Sequence, residues 1–214
     1  FKINAKNVVY IHAFARGAHG ANPYALILGT KDQVTTFLLP QDIDAFKKIK
    51  PVLESTSFVG YDVKQHLKSL FYLGIKADKV AHDVQVAAFL LDSLHASKDL
   101  NELAEVEADY QLVDMAAIHP DDISHHAPEL IGALQTLHAK QLSSMAKLPK
   151  LVELVKNIEW PVITVLARME YIGIGVDVPY LEKMGRRLED QISDIEQTIF
   201  GYANRALIYQ AHSN

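Results

Sequence analysis

Cysteine is absent from all 214 residues. Its absence excludes disulfides and thiolate metal sites, and it fits a reducing compartment. An excess of basic charge is also missing: 21 Lys and Arg stand against 26 Asp and Glu, giving a net charge of −5. A chain that grips nucleic acid with its whole surface is usually basic, so any such contact here must be local or supplied by another part of a larger protein. No apolar run approaches bilayer-crossing length, and no charged segment followed by an apolar stretch opens the chain. Neither a membrane span nor a signal peptide is therefore expected. Neither standard glycine-rich phosphate loop is present, and there is no HExxH and no GxSxG, which removes the common motifs of nucleotide cradles, zinc proteases and serine hydrolases.

What remains is an ordinary globular composition, 49% hydrophobic and 22% charged, long enough for one large domain or a domain and a piece of another. Phe1 is not an initiator and the final ALIYQAHSN carries no cap, so a piece of a longer protein is expected. VVYIHAF (8–14), YALILG (24–29) and VTTFLLP (34–40) predict a meander of three strands, with SFVGYD supplying a fourth. DIDAFKKIKPVLEST has Ile43, Phe46, Ile49 and Leu53 at helical spacing, and VKQHLKSLFYLGI is a helix stopped by Gly74. HDVQVAAFLLDSL (82–94) predicts an apolar central helix, and Ser97 or Asp99 is placed to cap the helix DLNELAEVEA. The stretch Val113–Pro128 is polar and loop-like, and Pro128 suits the first turn of a long helix. From Pro149 the pattern is helical, broken at Gly173-Ile174-Gly175. The last helix carries Leu181, Met184, Leu188, Ile192, Ile195 and Ile199 as one stripe. Strands first and helices later make the class α/β, followed by an all-helical segment.

Ten histidines are the unusual feature. His125-His126 and Asp121-Asp122 fall in the polar loop and predict solvated surface rather than a metal site. His82-Asp83 opens an apolar helix, with Asp83 as its cap; Asp177 is likewise a cap. Lys183, Arg186 and Arg187 form one basic face on the last helix, a solvated face first and a phosphate contact second.

VGYDVKQHLKSLFYLGIKADKVAHDVQVAAFLL resembles the middle of the 3′–5′ exonuclease domain of family A DNA polymerases, the bacterial DNA polymerase I large-fragment type. DLNELAE is similar to the short helix that follows there. NIEWPVITVLARMEYIGIGVDVPYLEKMGRRLEDQISDIEQTIFGYA resembles the junction into the polymerase domain, with its ME-x-x-G and V-D. The resemblance implies a ribonuclease-H-like exonuclease fold over 1–150, a mixed sheet flanked by helices, and the helical start of a polymerase thumb over 151–214. It also implies a two-metal nuclease site built from carboxylates. Placed on this sequence, the family's Asp-x-Glu falls on His12 and Phe14, its second-motif Asp on His66, and its Tyr-x-x-x-Asp on Leu134 and His138. All four metal carboxylates and the tyrosine are replaced, so the expected site is vacated and without catalytic residues. The family fold brings these positions together, which makes His12, His66 and His138, with Asp62 one turn before His66, a candidate transition-metal set. The leading expectation is a scaffold domain in a DNA polymerase of replication and repair. Such a protein is cytoplasmic, with DNA met through the full-length chain, the rest of the polymerase domain in cis, and Mg²⁺ only at the polymerase site. Competing with it are a metal-dependent nuclease with a His-rich site and a module that holds single-stranded DNA without cutting it.

Overall fold

The computed structural model describes residues 8–92, 99–115 and 117–203, without the side chains of residues 202 and 203. Strands β1 (Val8–Ala15), β2 (Pro23–Gly29), β3 (Val34–Leu38), β4 (Ser57–Gly60) and β5 (Val80–Asp83) form one sheet in the order β3-β2-β1-β4-β5. The first three pair antiparallel, whereas β4 joins β1, and β5 joins β4, in parallel. The sheet is mixed, as the sequence predicts. The helices are α1 (Ile43–Leu53), α2 (Val63–Tyr72), α3 (Val84–Leu91), α4 (Leu100–Ala108), α5 (Ile123–Met145), α6 (Pro149–Leu154), α7 (Trp160–Ile172) and α8 (Val178–Ala203). Among the described residues no helix is long and apolar enough to cross a membrane.

Side-chain alternation along the strands divides the core in two. Leu26 and Leu28 join Val9 and Ile11 on the face covered by Phe46 of α1, Leu67 and Leu70 of α2, and Trp160 and Ile163 of α7. Ala25 and Ile27 point the other way, toward Leu103 of α4 and Leu130, Leu134 and Leu137 of α5. Each fully buried large aliphatic side chain contributes about 1.5–3 kcal/mol, so both faces of the sheet are anchored.

Two boundaries differ from those expected. The helix placed at 82–94 begins at Val84, because His82 and Asp83 belong to β5. Asp83 is extended and its carboxylate accepts from the backbone N–H groups of Gln85 and Val86; a cap of this kind sits outside the helix it starts. Residues 93 and 94 lie outside the described residues. The polar loop expected to run to Pro128 ends earlier: residues 120–122 form a 3₁₀ turn, α5 starts at Ile123, and Pro128 lies inside it. Buried Ile123, Ala127, Leu130, Ile131 and Leu134 share one helical face, and that face begins before the proline. The helix through the junction is continuous but re-registered. Pro161 cannot donate to the carbonyl of Asn157 and its ring crowds it, and residues 155–159 wind as a π turn just before.

By contacts the chain forms two compact units, Phe1–Ile172 and Gly173–Asn214. The division expected at residue 150 thus falls inside the first unit by packing. Val155, Trp160, Ile163 and Ala167 are buried in its core, and Glu170 of α7 reaches Lys64 and Lys68 of α2. In the second unit Asp177 caps α8 through the N–H of Tyr180 at 3.0 Å. The predicted stripe of α8 is 41–58% exposed at each of its six residues.

Candidate functional site

The end of β1 and the first turns of α2 make the site. Tyr10, His12 and Phe14 alternate onto one face of β1. β4 approaches β1 closely at Gly60, where a Cβ would lie 2.9 Å from the Ile11 carbonyl oxygen. The chain then turns through Asp62, in the left-handed region at φ 52°, and enters α2. The N–H of Val63 donates to Asp83 at 2.7 Å, which ties the start of α2 to the end of β5.

This geometry puts His66 under β1. The Ala13 N–H donates to its Nδ1 at 3.2 Å, and its ring centroid lies 4.8 Å from that of His12. Phe14 sits edge-on to His12 at 4.7 Å. His12 Nδ1 and His66 Nε2 are buried without a hydrogen-bond partner. Burial first, and then the neighbouring His66, holds the His12 imidazole well below the usual histidine range. Burial lowers His66 to about 4, opposed by the Tyr61 carbonyl. Because a backbone N–H occupies Nδ1, the neutral His66 ring carries its proton on Nε2. Ligation through that nitrogen would require its proton to move to Nδ1 and the Ala13 bond to break.

The remaining expected residues lie elsewhere. Leu134 is fully buried in the core cluster that includes Phe14. One turn on, His138 Nδ1 meets the Tyr10 hydroxyl at 3.0 Å, and its ring lies 4.6 Å from His82. The three histidines expected to share one cavity therefore divide, His12 with His66 and His138 with His82. The physical reason is the course of α5: Leu134 is buried in the cluster that includes Phe14, and the next turn brings His138 beside Tyr10, four residues back along β1. Among the described residues no three His, Asp or Glu side chains are grouped to hold a metal ion, and Asp62 makes no hydrogen bond or ion pair to any of these histidines. Mg²⁺ and Mn²⁺ require hard oxygen donors. Two buried imidazoles, one proton-bearing on its free nitrogen, and a phenyl ring do not fit them.

His125 and His126 meet edge-on at 4.9 Å on the first turns of α5 rather than in a loop, and His126 lies 3.9 Å from Glu129. Asp121 and Asp122 are exposed, as expected. Lys183, Arg186 and Arg187 are exposed on α8, with Arg186 3.7 Å from Glu182 on its own helix.

Sequence reasoning missed two features. One is the buried set around His82, whose Nε2 bonds to Gln141 Oε1 at 2.8 Å while Gln141 Nε2 donates to the Val84 carbonyl. Burial holds His82 at about 4 and raises Asp83 to about 6. A histidine and an aspartate ending a short strand gave no periodic signal. The other is the ion cluster of Glu170 with Lys64 at 2.8 Å and with Lys68, which lowers Glu170 to about 2. Its signal was the Glu of ME-x-x-G.

A 3-2-1-4-5 mixed sheet with helices on both faces defines a ribonuclease-H-like α/β domain. The family model described as "DNA polymerase I, ribonuclease H-like domain" matches residues 9–143, and the chain belongs to that family. DNA polymerase I of Bacillus caldotenax is 28% identical over 156 residues, covering 68% of this chain and 18% of the relative. That of Lactococcus lactis subsp. lactis (strain IL1403) is 24% identical over 212 residues, covering 94% of this chain and 23% of the relative. The chain thus spans about a fifth of the length of these curated relatives. Among solved structures, the POL domain of Pol1 from M. smegmatis in complex with DNA primer-template and dNTP shares the fold. Its TM-score is 0.65 at 22% identity, over 92% of this chain and 34% of that one.

Proposed function

We propose that the chain is one part of a longer DNA polymerase of the polymerase I type, which copies DNA in cytoplasmic replication and repair. Its exonuclease-like domain serves as a scaffold and does not cut 3′ ends. What supports this reading is the donor set at the end of β1: two buried imidazoles, His12 and His66, beside the phenyl ring of Phe14, with no carboxylate among the three and with the Ala13 N–H bonded to His66 Nδ1, which disfavours ligation through that ring. In the longer protein the rest of the polymerase domain follows in cis and Mg²⁺ belongs to the polymerase site. DNA is met through that domain, with Lys183, Arg186 and Arg187 as backbone-phosphate contacts.

The test is incubation of the chain with 3′-labelled single-stranded and mismatched DNA in Mg²⁺ or Mn²⁺. No nucleotide release above a protein-free control is expected. Metal-dependent trimming abolished by His12→Ala/His66→Ala would overturn the scaffold reading in favour of a His-based nuclease. Salt-sensitive binding of single strands without trimming would replace it with a strand-holding module.

A further inference from the structure

α8 is the one element among the described residues of the second unit, and its apolar stripe is exposed along its whole length. The stripe is regular. Leu181, Met184 and Leu188 recur eleven residues later as Ile192, Ile195 and Ile199. An eleven-residue repeat averages about 3.67 residues per turn, close to the roughly 3.6 of a straight helix. The six side chains therefore form a narrow band parallel to the axis, the shape that a second helix covers.

Charge along α8 says which helix. Its first half carries Lys183, Arg186 and Arg187 against Glu182, and its second half carries Glu189, Asp190, Asp194 and Glu196 with no basic residue. Two copies laid side by side in parallel would set like halves together. Laid antiparallel, each basic half lies on an acidic one. Turned end for end about residue 190, the band also meets itself. Leu181 faces the partner's Ile199, Leu188 faces the partner's Ile192, and Met184 faces the partner's Ile195. Arg187 and Asp194 are seven residues apart, so they share one flank of the band. Neither forms an ion pair among the described residues. The reversal sets each Arg187 beside the partner's Asp194. On the other flank Glu189 falls next to its own equivalent at the axis, which works against the pair. Two contacts of opposite charge thus stand against one of like charge.

We propose that α8 pairs antiparallel with α8 of a second copy of this chain, closing a two-fold dimer through the stripe. The pairing does not depend on the polymerase reading. Arg187 is one of the residues given above to DNA phosphate, so at that side chain pairing and DNA contact exclude one another.

The experiment is sedimentation equilibrium of the 214-residue chain, from about 5 µM to about 1 mM. One helix face buries less than the roughly 800 Å² per partner of standard interfaces, so a reversible dimer with a Kd on the order of 100 µM is expected. Added salt should weaken it. Leu188→Asp/Ile192→Asp should leave a monomer throughout, with the circular dichroism spectrum unchanged because both side chains are exposed. Glu189→Gln should tighten the dimer about threefold by removing the like charge at the axis. The chain has no cysteine, so disulfide formation reads the orientation. Arg187→Cys mixed with Asp194→Cys should cross-link, whereas each alone should not. A parent chain that stays monomeric to the highest concentration would overturn the proposal. So would a dimer that survives Leu188→Asp/Ile192→Asp, or cross-linking by either cysteine variant alone as efficient as by the mixture.

Discussion

Burial, not pairing, keeps three imidazoles neutral. His66 and His82 stand at about 4 and His12 well below its ordinary value. Each folded pKa is below the unfolded one near 6.5, so the unfolded chain takes up protons first as pH falls, and stability declines from pH 6.5 toward 4. Asp83 acts in the opposite sense. Its folded pKa is raised to about 6, so stability from it grows as pH falls through 6 toward 3.8. His66 and His82 alone outweigh it, by about 3 kcal/mol between about pH 7 and pH 4.5, and His12 adds to the loss. Urea unfolding at the two pH values checks this, and a flat profile would rule out buried neutral histidines. His66→Leu should reduce the pH slope in this window by about one proton. Gly60→Ala is expected to cost about 1–3 kcal/mol, because its Cβ would lie 2.9 Å from the Ile11 carbonyl oxygen; thermal denaturation would show it.

Glu170 is where one helix is fastened to another. Its carboxylate joins α7 to Lys64 and to Lys68, whose side chain is 3% exposed while that of Glu170 is 31% exposed. Glu170→Gln strands a buried ammonium. The cost expected is about 1–3 kcal/mol, below that of a fully buried pair because solvent screens the carboxylate. The folded pKa is lowered to about 2, so this contribution is full above 4.5 and is lost as pH falls through about 2. A mutant whose chemical stability at neutral pH equals the parent's would show that apolar contacts alone hold α7. The elements themselves were legible where one period dominates: β1 to β4 by β-branched runs, α2 by its spacing and its Gly74 stop, and α8 by its stripe. β5 was not, because VAHD has no alternation of its own and becomes a strand only through pairing with β4. The start of α5 was hidden by its polar face, since Asp121 to His126 read as loop until Ile123 and Ala127 are seen to turn toward the core. At the site, the placing of His12 and Phe14 on one face of β1 was readable from their i, i+2 spacing. The separation of His138 from them was not, because it depends on where along β1 each turn of α5 lands.

Family descent and packing draw different boundaries on this chain. The family model ends at residue 143, whereas the first compact unit runs to Ile172. The difference is α6, the π turn and α7, whose Val155, Trp160, Ile163 and Ala167 complete the core over α1 and α2. A chain ending at residue 172 is therefore expected to unfold in one cooperative transition with a Tm close to the parent's. It should also bind less apolar dye, because the exposed stripe from Leu181 to Ile199 is gone. A chain ending at residue 150 keeps all five strands but uncovers Leu67, Leu70 and Ile75 on the α7 side of the sheet. Losing Trp160 and Ile163 alone forgoes about 3–6 kcal/mol of burial, a large share of the roughly 5–15 kcal/mol by which domains are stable. That shorter chain should lose its sharp near-ultraviolet signal and melt without a cooperative baseline. Equal Tm and equal cooperativity for the two truncations would mean that α7 is a passenger on the sheet, and that the junction belongs to the helices beyond it rather than to the domain it closes.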